Sequence, residues 1–129
     1  MSNCQMNVCV ERIRVHAFHG CHPQERTVGG EFFVSIAATV DVEPSAWRDD
    51  RLEGTADYSR FVSITRREMA LPSNLLEHVA ARIASAIIGE CPLVRHVGVK
   101  IEKQNPPLGM FCESVNVSFE QTREDEISR

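Results

Sequence analysis

The stretch EFFVSIAATVDV, residues 31–42, decides the fold. Every second residue in it is apolar: Phe32, Val34, Ile36, Ala38, Val40 and Val42. The intervening positions are mixed and include Ser35, Thr39 and Asp41. A period of two is typical of a β-strand that packs one face on a core and turns the other outward. We therefore predict a strand whose even-numbered residues face the core.

Three other segments carry the same period and predict three further strands, over residues 8–18, 96–103 and 112–120. Each places three apolar residues on one face. These are Ile13, Val15 and Ala17 in the first, Val97, Val99 and Ile101 in the second, and Val115, Val117 and Phe119 in the third.

Between the second and third strands the pattern becomes helical. A short helix is predicted over residues 58–69 and a longer one over residues 75–88, with Asn74 as its N-cap and Gly89 and Pro92 at its end. The apolar stripe of the longer helix consists of Leu76, Val79, Ala80, Ile83 and Ile87. The apolar stripes of two helices can both be buried by packing against one face of a sheet. The predicted fold class is therefore α+β: a four-stranded antiparallel sheet with two helices on one face, in the order ββααββ.

The chain, residues 1–129, shows no repeat and no linker, so we expect one domain. The charged tail, residues 121–129, is expected to be frayed. The second face of the sheet is largely polar and its edge strands are open. Pairing with sister chains is one way of protecting such edges, so we expect a homo-oligomer.

Composition excludes several classes of protein. The net charge of −4 and the pI near 5.7 argue against a nucleic-acid partner, because proteins bind nucleic acid through clustered Lys and Arg. No apolar run approaches the roughly 18 residues of a membrane span, and no targeting segment is visible, so we expect a cytoplasmic protein. The five cysteines are odd in number and form no Cys-x-x-Cys, which favours reduced thiols over a disulfide framework.

Lys103 is the first candidate for chemistry. By strand alternation it shares the apolar face of Val97, Val99 and Ile101, just before the segment Gln104-Asn-Pro-Pro107 ends the strand. Partial burial lowers the pKa of a lysine towards neutrality, where the amine can exchange protons. The alternative is that Lys103 extends its ammonium into water, and on the pattern alone this reading is favoured.

Three further residues carry a functional and a structural reading. Glu77, three residues after Asn74, either binds a guanidine-like edge through two hydrogen bonds or belongs to a capping box. Tyr58, the only tyrosine, either donates a proton or is a core residue with its hydroxyl at the rim. Glu25 lies in the Gly- and Pro-rich loop between the first two strands: such long loops often carry function, and the structural reading is a solvent-exposed loop residue.

His16, His19 and His22, together with Cys21, resemble metal ligands in type. The spacing is poor for zinc, because residues 16 and 19 of one strand point to opposite faces. We therefore do not expect a metal site.

Taken together, four segments resemble the dihydroneopterin aldolases: Phe18-His-Gly-Cys-His-Pro-Gln-Glu25 followed by Gly30-Glu-Phe-Phe-Val34, Thr55-Ala-Asp-Tyr58, Asn74-Leu-Leu-Glu-His-Val-Ala-Ala-Arg-Ile83 and Val99-Lys-Ile-Glu-Lys-Gln-Asn-Pro-Pro107. The resemblance covers residues 8–120. It implies the tunnelling fold, in which four subunits join their sheets into a barrel and two such rings stack into an octamer. It also implies active sites at subunit interfaces, with Tyr58 supplied by the neighbouring subunit.

Residue roles follow from the same resemblance. Glu77 would hold the amino and ring nitrogens of a pterin, helped by the backbone of Leu76. Lys103 would carry the proton transfers with bound water, Glu25 would orient the lysine and that water, and Tyr58 would help protonate the enamine carbon. The reaction would cleave 7,8-dihydroneopterin into 6-hydroxymethyl-7,8-dihydropterin and glycolaldehyde, a step in folate biosynthesis, without metal or cofactor. Cys21, where the family often has a small residue, and the loop from Leu108 to Glu113 depart from the family pattern.

Three alternatives remain open at this stage. One is an epimerase of the same fold that acts on dihydroneopterin or its triphosphate. Another is a zinc-dependent pterin synthase that would use the histidines. The last is a non-catalytic pterin-binding protein, which would bind without turnover.

Overall fold

The computed structural model describes residues 1–124. Four strands form one antiparallel sheet, whose spatial order follows the chain: β1 (Cys4–Ala17), β2 (Gly30–Val42), β3 (Val94–Gln104) and β4 (Ser114–Thr122). The helices are α1 (Pro23–Thr27), α2 (Pro44–Trp47), α3 (Tyr58–Met69) and α4 (Leu76–Glu90), with a short 3-10 turn at Leu52–Gly54. The predicted α+β class and the order of the strands are confirmed. None of the described helices is long and apolar enough to cross a membrane.

The register of the sheet explains its single apolar face. Ile36 of β2 pairs with Val10 on one side and with Val99 on the other, and Val99 pairs with Phe119. The even-numbered residues of β2 from Phe32 to Val42 are all buried, as their period predicts. Burial of such apolar side chains is the main driving force for the sheet to form.

A bulge in β1 keeps its apolar residues on the core side. The pairing with β2 skips between Val10 and Ile13, and Arg12 has a positive φ of 56°. The extra residue re-phases the strand, so that Ile13 and Val15 pack against the core beside Val10. Sequence alternation assigned the faces of residues 13–17 correctly but did not reveal the bulge.

Helices α3 and α4 cover the apolar face of the sheet. The buried residues of α4 are Val79, Ala80, Ile83, Ala84 and Ile87, and those of α3 include Phe61, Ile64 and Met69. Asp57 caps α3, because its carboxylate accepts the backbone N–H of Ser59 at 2.9 Å. The two predicted helices are therefore present and pack as expected.

Two short helices were not predicted. α1 lies in the segment that was expected to be a loop, and α2 follows β2 directly. Each has a proline in its first turn, where the missing N–H costs nothing and the fixed φ suits a helix. In α1 the Glu25 carboxylate also accepts the backbone N–H of His22 at 3.2 Å. A single turn carries too little periodicity to be read from the sequence.

The expectation for Asn74 was wrong. Helix α4 begins at Leu76 with Leu75 as its N-cap, and no side chain caps it. Asn74 instead accepts a hydrogen bond from Arg26 Nη1 through Oδ1, at 2.5 Å. Because the Asn74 amide oxygen is bonded to Arg26 of the distant α1 segment, it does not cap α4, and the capping box with Glu77 does not form.

The expectation that residues 121–129 are frayed is wrong for residues 121–123. Strand β4 continues to Thr122, and the Arg123 guanidinium donates to the carbonyls of Ile88, Cys91 and Val94 at 2.6, 2.9 and 2.9 Å. These carbonyls lie at and beyond the end of α4, where a helix leaves acceptors without intrahelical partners. Residues 125–129 lie outside the described part of the chain.

Candidate active site

Lys103 lies at the end of the apolar face of the sheet, as strand alternation predicts. It pairs with Phe32 on one side and Val115 on the other, and its side chain is 14% exposed. Its Nζ contacts the Glu25 carboxylate and donates to the backbone carbonyl of His19 at 3.3 Å. The alternative that this amine simply extends into water is therefore wrong for the described chain.

Glu25 reaches the lysine because α1 folds back over the end of β3. Its side chain is 13% exposed, and one oxygen is held by the N–H of His22 while the other contacts Lys103 Nζ. Gly20 makes room for it, since a Cβ at that position would overlap the Glu25 side chain. The interpretation of Glu25 as a solvent-exposed loop residue is thereby corrected.

Two opposing effects act on the protonation of the pair. Burial lowers the pKa of Lys103 below its ordinary value, because the ammonium loses water. The adjoining carboxylate favours the protonated amine. An amine in this balance both accepts and returns a proton more readily than an exposed lysine, which is the property that acid–base catalysis requires.

The pair opens into a cavity of about 640 Å³. Its walls come from residues 22–25, residues 28–30 and the end of β3, with Asn105 and Pro107 at the rim. A positive φ of 48° at Asn105 turns the chain away from the strand, and its N–H is bonded to the Glu113 carbonyl at 3.0 Å. The volume falls within the range of small-molecule sites.

His19 lies at the base of this cavity. From the sequence it was considered only as a candidate metal ligand. It is 1% exposed and packs edge-on against Phe32, with 5.4 Å between the ring centroids. Its Nδ1 accepts the backbone N–H of Ser73 at 3.0 Å. Burial, followed by the charge of Arg82, lowers the pKa of His19 to about 4, so the imidazole is neutral at physiological pH.

The three histidines of the metal reading make separate contacts. His16 lies on the exposed face of β1, with Nε2 3.3 Å from the Val28 carbonyl, whereas His19 is bonded to Ser73 and His22 precedes α1. Among residues 1–124, no group of three His, Cys, Asp or Glu side chains is arranged to hold a metal ion.

The remaining predicted residues lie away from the Lys103 cavity. Glu77 is exposed on the first turn of α4, and Leu76 before it is half-buried against the core. Tyr58 is the first residue of α3 and is 64% exposed. Neither Glu77 nor Tyr58 lines the cavity of the single chain. The structure therefore brings Lys103 and Glu25 together, but does not bring Glu77 or Tyr58 to them.

The fold defines a class of protein, a small α+β domain in which a buried amine–carboxylate pair opens into a cavity of the size of small-molecule sites. The family model for dihydroneopterin aldolase (FolB) matches residues 8–120. The chain therefore belongs to the dihydroneopterin aldolase family.

Individual proteins agree with this assignment. The dihydroneopterin aldolase of Streptococcus pyogenes serotype M18 is 28% identical over 117 residues, which cover 90% of this chain and 98% of that protein. The structure of the Vibrio cholerae FolB protein matches with a TM-score of 0.81 at 18% identity, covering 92% of this chain and 98% of the other. The Escherichia coli dihydroneopterin aldolase, solved in complex with neopterin, matches with a TM-score of 0.78 at 18% identity, covering 90% and 98%. At these identities the solved structures show a shared fold.

Proposed function

We propose that this chain cleaves 7,8-dihydroneopterin into 6-hydroxymethyl-7,8-dihydropterin and glycolaldehyde, as a cytoplasmic step of folate biosynthesis. The observation that carries the proposal is the buried contact between Lys103 and Glu25, in a chain that belongs to the dihydroneopterin aldolase family. Amine and carboxylate face a cavity of suitable size, and burial lowers the pKa of the amine.

The chemistry needs a base, an electron sink and an acid. The base removes the proton from the side-chain hydroxyl that becomes the aldehyde oxygen of glycolaldehyde. The adjacent carbon–carbon bond breaks, and its electron pair moves into the ring imine of the dihydropterin to give an enamine. Protonation of the enamine carbon then yields the hydroxymethyl product. Because the substrate supplies the sink, the cleavage proceeds without a Schiff base, a metal or a cofactor.

Lys103 is proposed to carry these proton transfers together with a bound water, with Glu25 orienting both. The contact with Glu25 and the bond to the His19 carbonyl fix two directions of the amine. A proton held between an amine and a carboxylate is available at the cavity rather than lost to bulk solvent. Glu25 also lies near enough to the cavity to contact the substrate.

Glu77 is proposed to anchor the pterin. A carboxylate offers two parallel acceptors to an amino group and a ring N–H, and the free backbone N–H groups at the start of α4 add donors near Leu76. The carboxylate is exposed and makes no cap, so it is available for a ligand.

The site is proposed to be completed by a neighbouring subunit. Strands β1 and β4 are the edges of the sheet, and open edges pair readily with another copy. Tyr58 is exposed at the start of α3, away from the Lys103 cavity of its own chain. In a homo-oligomer, a tetramer or an octamer whose sheets join into a barrel, Tyr58 of one subunit would protonate the enamine in the site of the next.

The experiment is to incubate the purified protein with 7,8-dihydroneopterin and to identify the pterin by chromatography and the aldehyde by derivatisation. Equimolar amounts of 6-hydroxymethyl-7,8-dihydropterin and glycolaldehyde are expected. An epimerised pterin without aldehyde would assign the chain to epimerisation instead. Binding with neither product would overturn a catalytic role.

A further inference from the structure

Two separate segments meet behind Lys103. Ser73 donates its backbone N–H to His19 Nδ1 at 3.0 Å, and its carbonyl accepts the N–H of Gly20 at 3.0 Å. We call this pair of hydrogen bonds the His19–Ser73 bridge. It joins the segment after β1 to the turn before α4, and both residues are buried.

Further contacts on the same side extend the bridge. Cys21 Sγ lies 3.4 Å from the Asn74 carbonyl, and Arg26 Nη1 donates to Asn74 Oδ1. Ser73 Oγ is 2.8 Å from His78 Nδ1 and accepts from Arg82 Nη2 at 3.0 Å. These contacts tie the bridge to α1 and to α4.

His19 has a different connection through its backbone. Its carbonyl accepts the Lys103 ammonium, while its side chain accepts from Ser73. One residue therefore links the amine at the end of β3 to the turn that leads within a few residues to Leu76 and Glu77.

We propose that His19 is a positioning residue for the reaction: through the His19–Ser73 bridge it fixes Lys103 relative to the start of α4, where the pterin is held. The inference rests on the proposed function for what Lys103 and Glu77 do. It assigns to the buried imidazole a task that composition and motif did not suggest.

The chemistry of the imidazole fits this task. Because Nδ1 accepts from an amide, the proton of the neutral ring lies on Nε2. An asparagine preserves the acceptor, since its Oδ1 takes nearly the place of Nδ1, whereas leucine removes it.

The amine is the best reporter of the bridge, and the sequence makes it easy to follow. Lys100 and Lys103 are the only lysines, so the ¹³Cε resonances of labelled protein give two titration curves. The charged or titratable groups acting on Lys103 are Glu25 and Cys21, and those acting on His19 are Arg82, Arg26 and Lys103. All of them are retained in His19→Asn and His19→Leu, so differences between the variants report the lost acceptor.

The test compares the two variants with the parent protein. In His19→Leu the segment loosens and water reaches the amine, so the pKa of Lys103 is expected to rise towards the ordinary value of a lysine. We also expect kcat to fall about tenfold or more. In His19→Asn both quantities are expected to stay close to those of the parent. Equal titration curves for Lys103 in all three proteins would overturn the proposal.

A measurement on the parent protein covers the case in which His19→Leu fails to fold. The ¹⁵N shifts of the His19 ring are expected to show the Nε2–H tautomer at neutral pH. A proton on Nδ1 would overturn the bridge. Neither the lysine titration nor the tautomer depends on turnover, so failure of the proposed reaction is distinguishable from failure of this inference.

Discussion

The ammonium of Lys103 and the carboxylate of Glu25 are in contact at the end of β3, although one residue lies on a strand and the other on a single-turn helix far earlier in the chain. Each side chain is mostly buried, and each has a second, backbone partner that fixes its direction. The contact therefore depends on the fold as a whole and on the short helix α1 in particular. Substitution of either residue therefore tests the proposed reaction directly.

Replacement of Lys103 by methionine is expected to reduce turnover by about 100-fold or more, because the proton-transferring amine is lost while the apolar stem remains. Pterin affinity should be largely kept, since the anchoring carboxylate is elsewhere. Steady-state kinetics and a binding titration measure the two effects separately. Lys100→Met is the matched control: it removes the other lysine of the same strand, on the opposite and exposed face. Equal activity in the two variants would contradict the role of Lys103.

Glu25→Gln keeps the acceptor for the His22 N–H but removes the charge beside Lys103. Without the carboxylate the ammonium is less stabilised, so the pKa of Lys103 is expected to fall by about one unit or more. The limb of the pH–rate profile governed by the amine should move to lower pH by the same amount. The direction is opposite to that expected for His19→Leu. A limb that stays in place would show that Glu25 does not act on the amine.

Much of the fold and part of the site were predictable from local sequence pattern. The period of two placed the faces of β2, β3, β4 and residues 13–17 of β1, and it placed Lys103 on the apolar face, because side chains alternate along a regular strand. The same pattern could not show that Lys103 meets Glu25, since that contact depends on α1, which is one turn long. The expectation that Glu25 acts beside the lysine rests on the family resemblance alone.

Other features could not be predicted from the sequence because residues distant in the chain determine them. Asn74 has the residue type of an N-cap but is bonded to Arg26. Arg123 belongs to a charged tail yet donates to three carbonyls near the end of α4. Arg12 takes a left-handed conformation because a bulge re-phases β1. In each case a long-range interaction overrides a local preference, and no single window of sequence contains both partners.

Glu77→Gln is expected to weaken pterin binding before it affects folding. The carboxylate makes no cap at the start of α4, so its loss should change the free energy of unfolding by less than about 0.5 kcal/mol. Binding should fall by about tenfold or more, because one of two parallel charge-assisted hydrogen bonds becomes a repulsive N–H contact. Fluorescence titration with neopterin and urea unfolding measure the two quantities. Glu53→Gln, at an exposed carboxylate beside Arg51, is the control. Retained affinity in Glu77→Gln would contradict the anchoring role.

Tyr58 offers a test of the proposed shared site. If Tyr58 of one subunit serves Lys103 of the next, Tyr58→Phe and Lys103→Met homo-oligomers are each impaired. Unfolding and refolding the two together should restore part of the activity, because some interfaces then contain both native residues. Restored activity is measured against the same proteins refolded separately and then mixed. No gain after joint refolding would place Tyr58 in the site of its own chain or outside any site.

His19 also predicts how stability depends on pH. The folded protein holds it with a pKa of about 4, against an ordinary value of 6.5. Between these two values the unfolded chain binds a proton that the folded chain does not, so the protein loses stability as pH falls through this range. The loss amounts to about 3 kcal/mol by pH 4, at about 1.4 kcal/mol for each unit of pKa difference, and is complete below that pH.

Urea unfolding at several pH values from 7 to 4, for the parent and for His19→Asn, measures this loss. The parent is expected to lose more stability on acidification than His19→Asn, and the difference should open below about pH 6.5. Carboxylates that titrate in the same range are common to both proteins and cancel in the difference. His16→Asn, on the exposed face of β1, removes a histidine without touching the bridge and should keep the steep acid dependence of the parent. Parallel curves for the parent and His19→Asn would show that the buried imidazole is protonated in the folded state as readily as in the unfolded one.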